Sequence, residues 1–281
     1  MHKKLLALYG LKWNPFAPEL PSEALLTTPK IENFCWRIEQ AHVREGGFAL
    51  VTGDPGTGKS VALRLLSERL AGVGELTVGA LAHPQCFISD FYRELGDLFG
   101  IELRPHNRWC GFKTLRERWT AHIESTLLRP VLLIDEAQEM SPAVLSELRL
   151  LSSTRFDSRI ILSVVLAGDS RLAAKLRQDD LLPLGSRIRT RLALEYASRD
   201  ELHACLRHLL STAGNSKLMT PELMATLCDH AAGNYRVLTT LGAELLAAAA
   251  QRECTQLDEK LYLEVFAPPQ KSKPAEARRR A

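Results

Sequence analysis

The eight residues Gly53-Asp54-Pro55-Gly56-Thr57-Gly58-Lys59-Ser60 constrain this chain more than any other stretch. They read G-x-x-x-x-G-K-S, between an apolar run and a helix-like run. Glycines let the backbone curl so that successive N–H groups turn inward, and the helix that follows adds its positive N-terminal end. Such a loop binds the phosphates of a nucleotide. Lys59 can reach the β- and γ-phosphates, and the Ser60 hydroxyl can ligate Mg²⁺. The flanks suit this chemistry: Phe48-Ala49-Leu50-Val51-Thr52 reads as a buried strand, and Val61-Ala62-Leu63-Arg64-Leu65-Leu66 continues as a helix. Gly53 to Val61 are thus the expected nucleotide-binding residues.

A second feature has the same origin. Val131-Leu132-Leu133-Ile134 is an apolar run that ends in Asp135 and Glu136. It reads as a central parallel strand that delivers carboxylates at its C-terminal edge. Asp135 can hold Mg²⁺ through its water shell, and Glu136 can polarise an attacking water as general base. Two acids after a strand are often only a solvated strand end. Downstream of a phosphate loop they gain a chemical meaning.

Further strands are expected over Leu76–Leu81, Ile160–Ala167 and Leu192–Leu194. Helices are expected over Ile31–Glu45, from the phosphate loop to Leu70, and over Ile88–Phe99, Lys113–Leu128 and Pro142–Leu151. Strands alternating with helices imply a parallel sheet covered on both faces. From Ser198 the pattern is helical only, at about 198–213, 220–231, 235–251 and 257–266, with capping signals at Ser198 and Thr220. The expected organisation is an irregular N-terminal segment over 1–30, broken by Pro15, Pro18, Pro21 and Pro29. A nucleotide-binding domain over 31–197 and a helical domain over 198–267 follow. The basic tail over 268–281 is expected to be disordered.

Composition narrows the class. The 281 residues are 46% hydrophobic and 25% charged, ordinary for a globular chain, and the net charge of +3 does not by itself argue for nucleic acid. Six cysteines form no C-x-x-C pair and read as free thiols. The apolar N-terminal stretch is too short for a signal peptide, and no run approaches the roughly 18 apolar residues of a membrane span. A soluble cytoplasmic protein is expected, with no membrane partner.

Three more polar positions stand out. Asp169, after the run Ile160–Ala167, could contact the γ-phosphate or the attacking water, or simply make a turn. Arg187, Arg189 and Arg191 alternate with Ile188 and Thr190 and would share one face if extended. They read either as a solvated basic face or as the source of an arginine finger offered to a neighbouring subunit. Arg236 opens a helix in Gly233-Asn234-Tyr235-Arg236 and could reach back to the phosphates.

The phosphate loop, the Leu132-Leu133-Ile134-Asp135-Glu136 strand end, Ser186-Arg187-Ile188 and Gly233-Asn234-Tyr235-Arg236 occur in an order that resembles an AAA+ ATPase with its helical lid. The resemblance covers about residues 31–266. It implies an α/β fold, a three-layer P-loop (AAA+) parallel-sheet domain with a small C-terminal all-α lid domain. It implies ATP and Mg²⁺ as cofactors and a ring or helical homo-oligomer. Its roles would be Walker A for Gly53–Ser60, Walker B for Asp135 and Glu136, sensor one for Asp169 and sensor two for Arg236. Arg187 would be the finger, with Arg189 or Arg191 as competitors.

A narrower resemblance is carried by Tyr9-Gly10-Leu11-Lys12-Trp13-Asn14-Pro15-Phe16 and by Leu166-Ala167-Gly168-Asp169-Ser170-Arg171-Leu172. Both are similar to the ExeA-like subgroup, in which glutamine stands where this chain has Asp169. That subgroup contains secretion ATPases and the transposition ATPases related to TniB, MuB, TnsC and IstB. The sequence stops just after the lid, which favours the transposition kind. The expected partners are then non-specific double-stranded DNA, a transposase and further copies of this chain. A secretion ATPase acting on protein partners is the alternative. Between Ile101 and Trp119, Arg104, Arg108, Lys113 and Arg116 lie among aromatics in a pattern that could hold a DNA backbone or be an ordinary solvated surface. The tail, with Lys271, Lys273 and Arg278–Arg280, could add loose DNA contact. No sequence-specific reader stands out.

Overall fold

The computed structural model describes residues 2–103 and 108–266. The chain opens with helices α1 (His2–Tyr9), α2 (Pro29–Arg37) and α3 (Val43–Glu45). Strand β1 (Gly47–Gly53) leads into α4 (Lys59–Ala71), followed by β2 (Val78–Leu81), α5 (Ile88–Phe99) and α6 (Arg108–Thr126). Next come β3 (Val131–Ile134), α7 (Pro142–Leu151), the short hairpin β4 (Ser153–Thr154) and β5 (Arg159–Ile160), and β6 (Ser163–Gly168). Two short helices, α8 (Ser170–Lys175) and α9 (Leu182–Gly185), precede β7 (Ile188–Leu194). The remainder is α10 (Arg199–Ala213), α11 (Pro221–Ala231), α12 (Tyr235–Gln251) and α13 (Glu259–Phe266).

Backbone contacts divide the chain into two units. One comprises Pro21–Ser198 together with Gly233–Arg236, and the other comprises the chain up to Leu20, Arg199–Ala232 and the chain from Val237 on.

The first unit is built on a five-stranded sheet in the order β2-β3-β6-β1-β7, with every pair parallel. β3 and β6 are buried along their whole length, as parallel strands covered on both faces must be. Alternation sorts their side chains into two cores. Phe48, Leu50, Leu132, Ile134, Val164 and Leu166 pack with residues of α5, α6 and α7. Ala49, Val51, Val131, Leu133, Val165 and Ala167 pack on the other face with residues of α2 and α4. Three layers result, and β1, β3 and β6 all end at one edge of the sheet.

Several boundaries differ from the sequence expectation. β7 is seven residues long rather than three, because it alternates: Ile188, Thr190 and Leu192 are buried while Arg189, Arg191 and Ala193 are exposed. An edge strand with one wet face shows no apolar run to read. β6 starts at Ser163, since Ile160 is drawn into the antiparallel hairpin opposite Ser153. The helix expected over Ile31–Glu45 widens into π-type turns at Ile38–His42.

In the second unit the N-terminal segment is more ordered than its prolines suggest. α1 runs until Gly10, which takes φ +64°, and the Leu11 N–H closes the helix on the Leu6 carbonyl at 2.9 Å. Lys12 N–H bonds the Ala213 carbonyl at 2.8 Å and Asn215 Nδ2 the Tyr9 carbonyl at 2.8 Å. Gly242 lets Phe16 approach α12, since a Cβ there would lie 2.7 Å from the ring. The segment thus packs on helices more than 200 residues further along the chain. The basic tail lies outside the described residues. Among those described, no helix is long and apolar enough to cross a membrane.

Candidate functional site

The phosphate loop follows directly from β1. Gly56 and Gly58 take φ +85° and +101°, a backbone region that L side chains rarely adopt. Gly53 is needed for space, because a Cβ there would meet Thr57 Oγ1 at 2.5 Å and the Leu194 carbonyl oxygen at 2.6 Å. Thr57 Oγ1 in turn donates to the Asp54 carbonyl at 2.8 Å and tightens the curl. Lys59 is buried, and its Nζ donates to the carbonyls of Gly53 at 2.9 Å and Asp54 at 3.2 Å. The ammonium therefore lies inside the loop with its stem immobilised. Lys59, Ser60 and Val61 form the first turn of α4, whose N–H groups lack intrahelical acceptors and face an anion naturally.

β3 brings the acids to the same place. Ser60 Oγ donates to Asp135 Oδ2 at 2.6 Å, closing the two halves of the motif across 75 residues. A hydroxyl beside a carboxylate is a hard oxygen donor set that suits Mg²⁺, which takes few protein ligands and keeps several waters. Asp135 Oδ1 accepts from the Glu136 N–H at 2.8 Å. Glu136 itself is left-handed, with φ 50° and ψ 37°, so the chain turns sharply after the acid pair.

Asp169 follows β6, in register beside the start of the phosphate loop, since Thr52 pairs with Gly168. It caps α8: its carboxylate accepts from the Arg171 N–H and from Arg171 Nε, each at 2.9 Å. These bonds from Arg171 hold its carboxyl below the usual range. Arg171 also reaches Glu139 at 2.9 Å. A role at the γ-phosphate would therefore have to compete with Arg171.

Gly233–Arg236 lies in the same unit as the loop. Asn234 Nδ2 donates to the Pro55 carbonyl at 3.1 Å, and the Tyr235 N–H donates to the Gly56 carbonyl at 3.0 Å. The Arg236 N–H is held by Asn234 Oδ1 at 3.0 Å, which places Arg236 as the second residue of α12, directly after the Tyr235 loop contact. In the sequence Asn234 carries no signal beyond its place in the Gly-Asn-Tyr-Arg run, and Gln138 carries none. It is buried and bonds both Glu136 and the Asp169 backbone.

Arg187 immediately precedes β7, pairs with Asp157 of the hairpin and donates to the Pro183 carbonyl. Arg189 and Arg191 lie on the exposed face of the strand, with Arg189 3.2 Å from Glu45. Arg187 lies one residue outside the strand, yet it lines one cleft with Arg189.

Of the four candidate DNA contacts, Arg104 lies outside the described residues. Arg108 donates to Glu147, a carboxylate only 2% exposed that also accepts from Tyr92 Oη. Burial pushes the Glu147 carboxyl up, but the bonds from Arg108 and Tyr92 prevail and keep it below its ordinary value. Arg108 is thus committed to the fold. Lys113 and Arg116 share one face of α6 with Trp109 and Phe112. Trp109, 75% exposed, lies parallel to Phe112 at 6.1 Å, and the Arg116 guanidinium sits 4.8 Å from the Phe112 ring centre.

Residues 42–176 match the AAA domain family. General secretion pathway protein A of Aeromonas hydrophila is 33% identical over 211 residues, covering 74% of this chain and 38% of that protein. The chain thus spans well under half the length of this curated relative. Cdc6p of Pyrobaculum aerophilum shares the fold with a TM-score of 0.73 at 17% identity, over 89% of this chain and 69% of that one. The ORC1 protein of Aeropyrum pernix, solved in complex with DNA, gives 0.65 at 16% identity, over 89% and 67%. The family match and the fold define an AAA-type P-loop domain over this part of the chain. More particularly, its sequence is similar to secretion protein A, and it shares with Cdc6p and ORC1 a fold with a three-layer P-loop core and a C-terminal helical lid region. None of these likenesses singles out the transposition relatives.

Proposed function

We propose that this protein binds ATP and Mg²⁺ at the loop, assembles with further copies on double-stranded DNA, and there recruits or regulates a transposase. Hydrolysis releases the assembly. Lys59 and the first turn of α4 would bind the phosphates, while Ser60 and Asp135 would hold Mg²⁺, which neutralises phosphate charge when bound. Glu136 would take a proton from water as its oxygen attacks the γ-phosphorus and the bond to the β-phosphate oxygen breaks. Arg187 of one subunit would complete the site of the next by stabilising charge in the transition state. Arg236 would sense the nucleotide, and Asp169 the γ-phosphate end.

The observation that carries the DNA reading is the face of α6, where Lys113 and Arg116 flank exposed Trp109 and half-buried Phe112. Cations neutralise phosphates and flat rings lean on sugar or base without reading sequence. The fold likeness to the ORC1 protein solved in complex with DNA supports it. A second reading, an ATPase of a general secretion pathway acting on protein partners, is favoured by the 33% identity to secretion protein A.

Sedimentation with random-sequence duplex DNA in ATP, a slow analogue and ADP tests the choice. Oligomers on DNA only with the triphosphate, and DNA-stimulated turnover, are expected. No DNA binding at low salt in any nucleotide state would transfer the proposal to the secretion reading.

A further inference from the structure

The acid pair is joined to the end of β6 by one side chain. Gln138 Nε2 donates to Glu136 Oε2, and Gln138 Oε1 accepts from the Asp169 N–H at 3.2 Å. Both halves of the amide are therefore engaged. Their orientation is fixed by chemistry, because a carboxylate only accepts and a backbone N–H only donates. A flipped amide would oppose oxygen to oxygen and N–H to N–H.

The surroundings lock this arrangement. Gln138 is 5% exposed, and Lys175 Nζ clamps its backbone by donating to the Gln138 carbonyl at 2.6 Å and the Met140 carbonyl at 2.8 Å. Gly168 supplies the room: a Cβ there would lie 2.5 Å from Gln138 Oε1 and expel it. A buried amide satisfied at both ends, with a glycine opposite and a lysine beneath, cannot swing away without leaving polar groups unpaired.

We propose that Gln138 is a positioning residue that holds the Glu136 carboxylate in place for catalysis and ties it to the backbone at the end of β6. This rests on Glu136 being the general base. With Oε2 anchored, Oε1 is left to the water. A shift of the β6 end as the γ-phosphate arrives or leaves would move the amide, and the base with it. Coupling through such a contact needs one rigid link between two elements, which Gln138 provides.

The test uses the full chain and steady-state ATP hydrolysis. Gln138→Leu keeps the bulk and removes both bonds; kcat should fall at least about tenfold while KM for ATP changes less than about twofold. Gln138→Glu keeps the length and the acceptor for the Asp169 N–H but sets a second carboxylate against Glu136, so kcat should fall there too at little-changed KM. A role in folding alone would lower melting temperature and leave kcat per folded molecule in place. Wild-type kcat in both variants, with Glu136→Gln inactive, would overturn the proposal. Should Gln138→Leu not fold, the kcat of Gln138→Glu decides. Glu136→Gln turning over normally would instead remove the base assignment beneath it, a distinguishable result.

Discussion

At the scale of single residues the phosphate loop is the most demanding part of the chain. Lys59 is stripped of water and bonded to loop carbonyls. Lys59→Ala should weaken ATP binding by roughly 1.5–3 kcal/mol, about 10- to 100-fold, as read by titration calorimetry. Affinity equal to the native protein's would remove Lys59 from the site. Gly56 carries two constraints. Its φ of +85° costs an L residue roughly 1–2 kcal/mol, and a Cβ would lie 2.0 Å from Asn234 Oδ1. Gly56→Ala should lower both melting temperature and affinity, and adding Asn234→Ala should recover part of the loss. Additive losses would mean that the two residues do not meet. The loop and the acid pair were legible in sequence because their backbone chemistry is local and demands particular residue types. Gln138 and Asn234 were not, because their partners lie 31 and 179 positions away and a lone amide has no pattern.

At the scale of elements, helix α6 separates structure from recognition. Arg108→Ala would leave the buried Glu147 with Tyr92 as its remaining partner among the described residues; since Arg108 is itself largely exposed, a stability loss of about 1–3 kcal/mol is expected in urea unfolding. Lys113→Glu, on the wet face of the same helix, should leave unfolding unchanged and weaken DNA binding, with the salt slope reduced by about 1. Unchanged binding and slope would exclude Lys113 from the contact. Basic residues crowd this segment in the sequence, and their partners sort them: Arg108 is held by Glu147 and Arg116 donates to the Ser153 carbonyl at 2.6 Å, while Lys113 lies near only Glu117, one turn along the same exposed face, among the described residues.

The π-type turns at Ile38–His42 hold a second test. His42 Nε2 lies 2.9 Å from Thr190 Oγ1, and burial lowers its pKa from 6.5 to about 4, with Arg189 and Arg37 adding to the effect. The unfolded chain therefore takes up a proton between those values and the native chain does not. Stability is complete above about pH 6.5, declines as pH falls toward 4, and loses on the order of 3 kcal/mol in all. His42→Gln should flatten the decline in that window; an equally steep decline would assign it to other groups. The strands read most clearly where both faces are buried, as in β3 and β6. β7, with arginines on one face, was underestimated for the same physical reason.

At the scale of the whole molecule the expected behaviour is collective. Arg187→Ala should bind ATP normally and lose roughly a thousandfold in turnover. Mixed with Glu136→Gln, which keeps its arginine, it should regain measurable activity at mixed junctions. A mixture that stays inactive would mean that Arg187 does not act across subunits.

The helical stretch after Ser198 suggests a natural place to divide the chain, and the hydrogen bonds of Gly233–Arg236 forbid it. A recombinant fragment ended at Ser198 would leave the Ala197 N–H without the Gly233 carbonyl that it meets at 2.9 Å, and would strip Asn234 and Tyr235 from Pro55 and Gly56. By the same logic, a chimaera that borrows its nucleotide loop from a relative must borrow this four-residue segment as well. The two pieces are separate in the chain but form one inherited part.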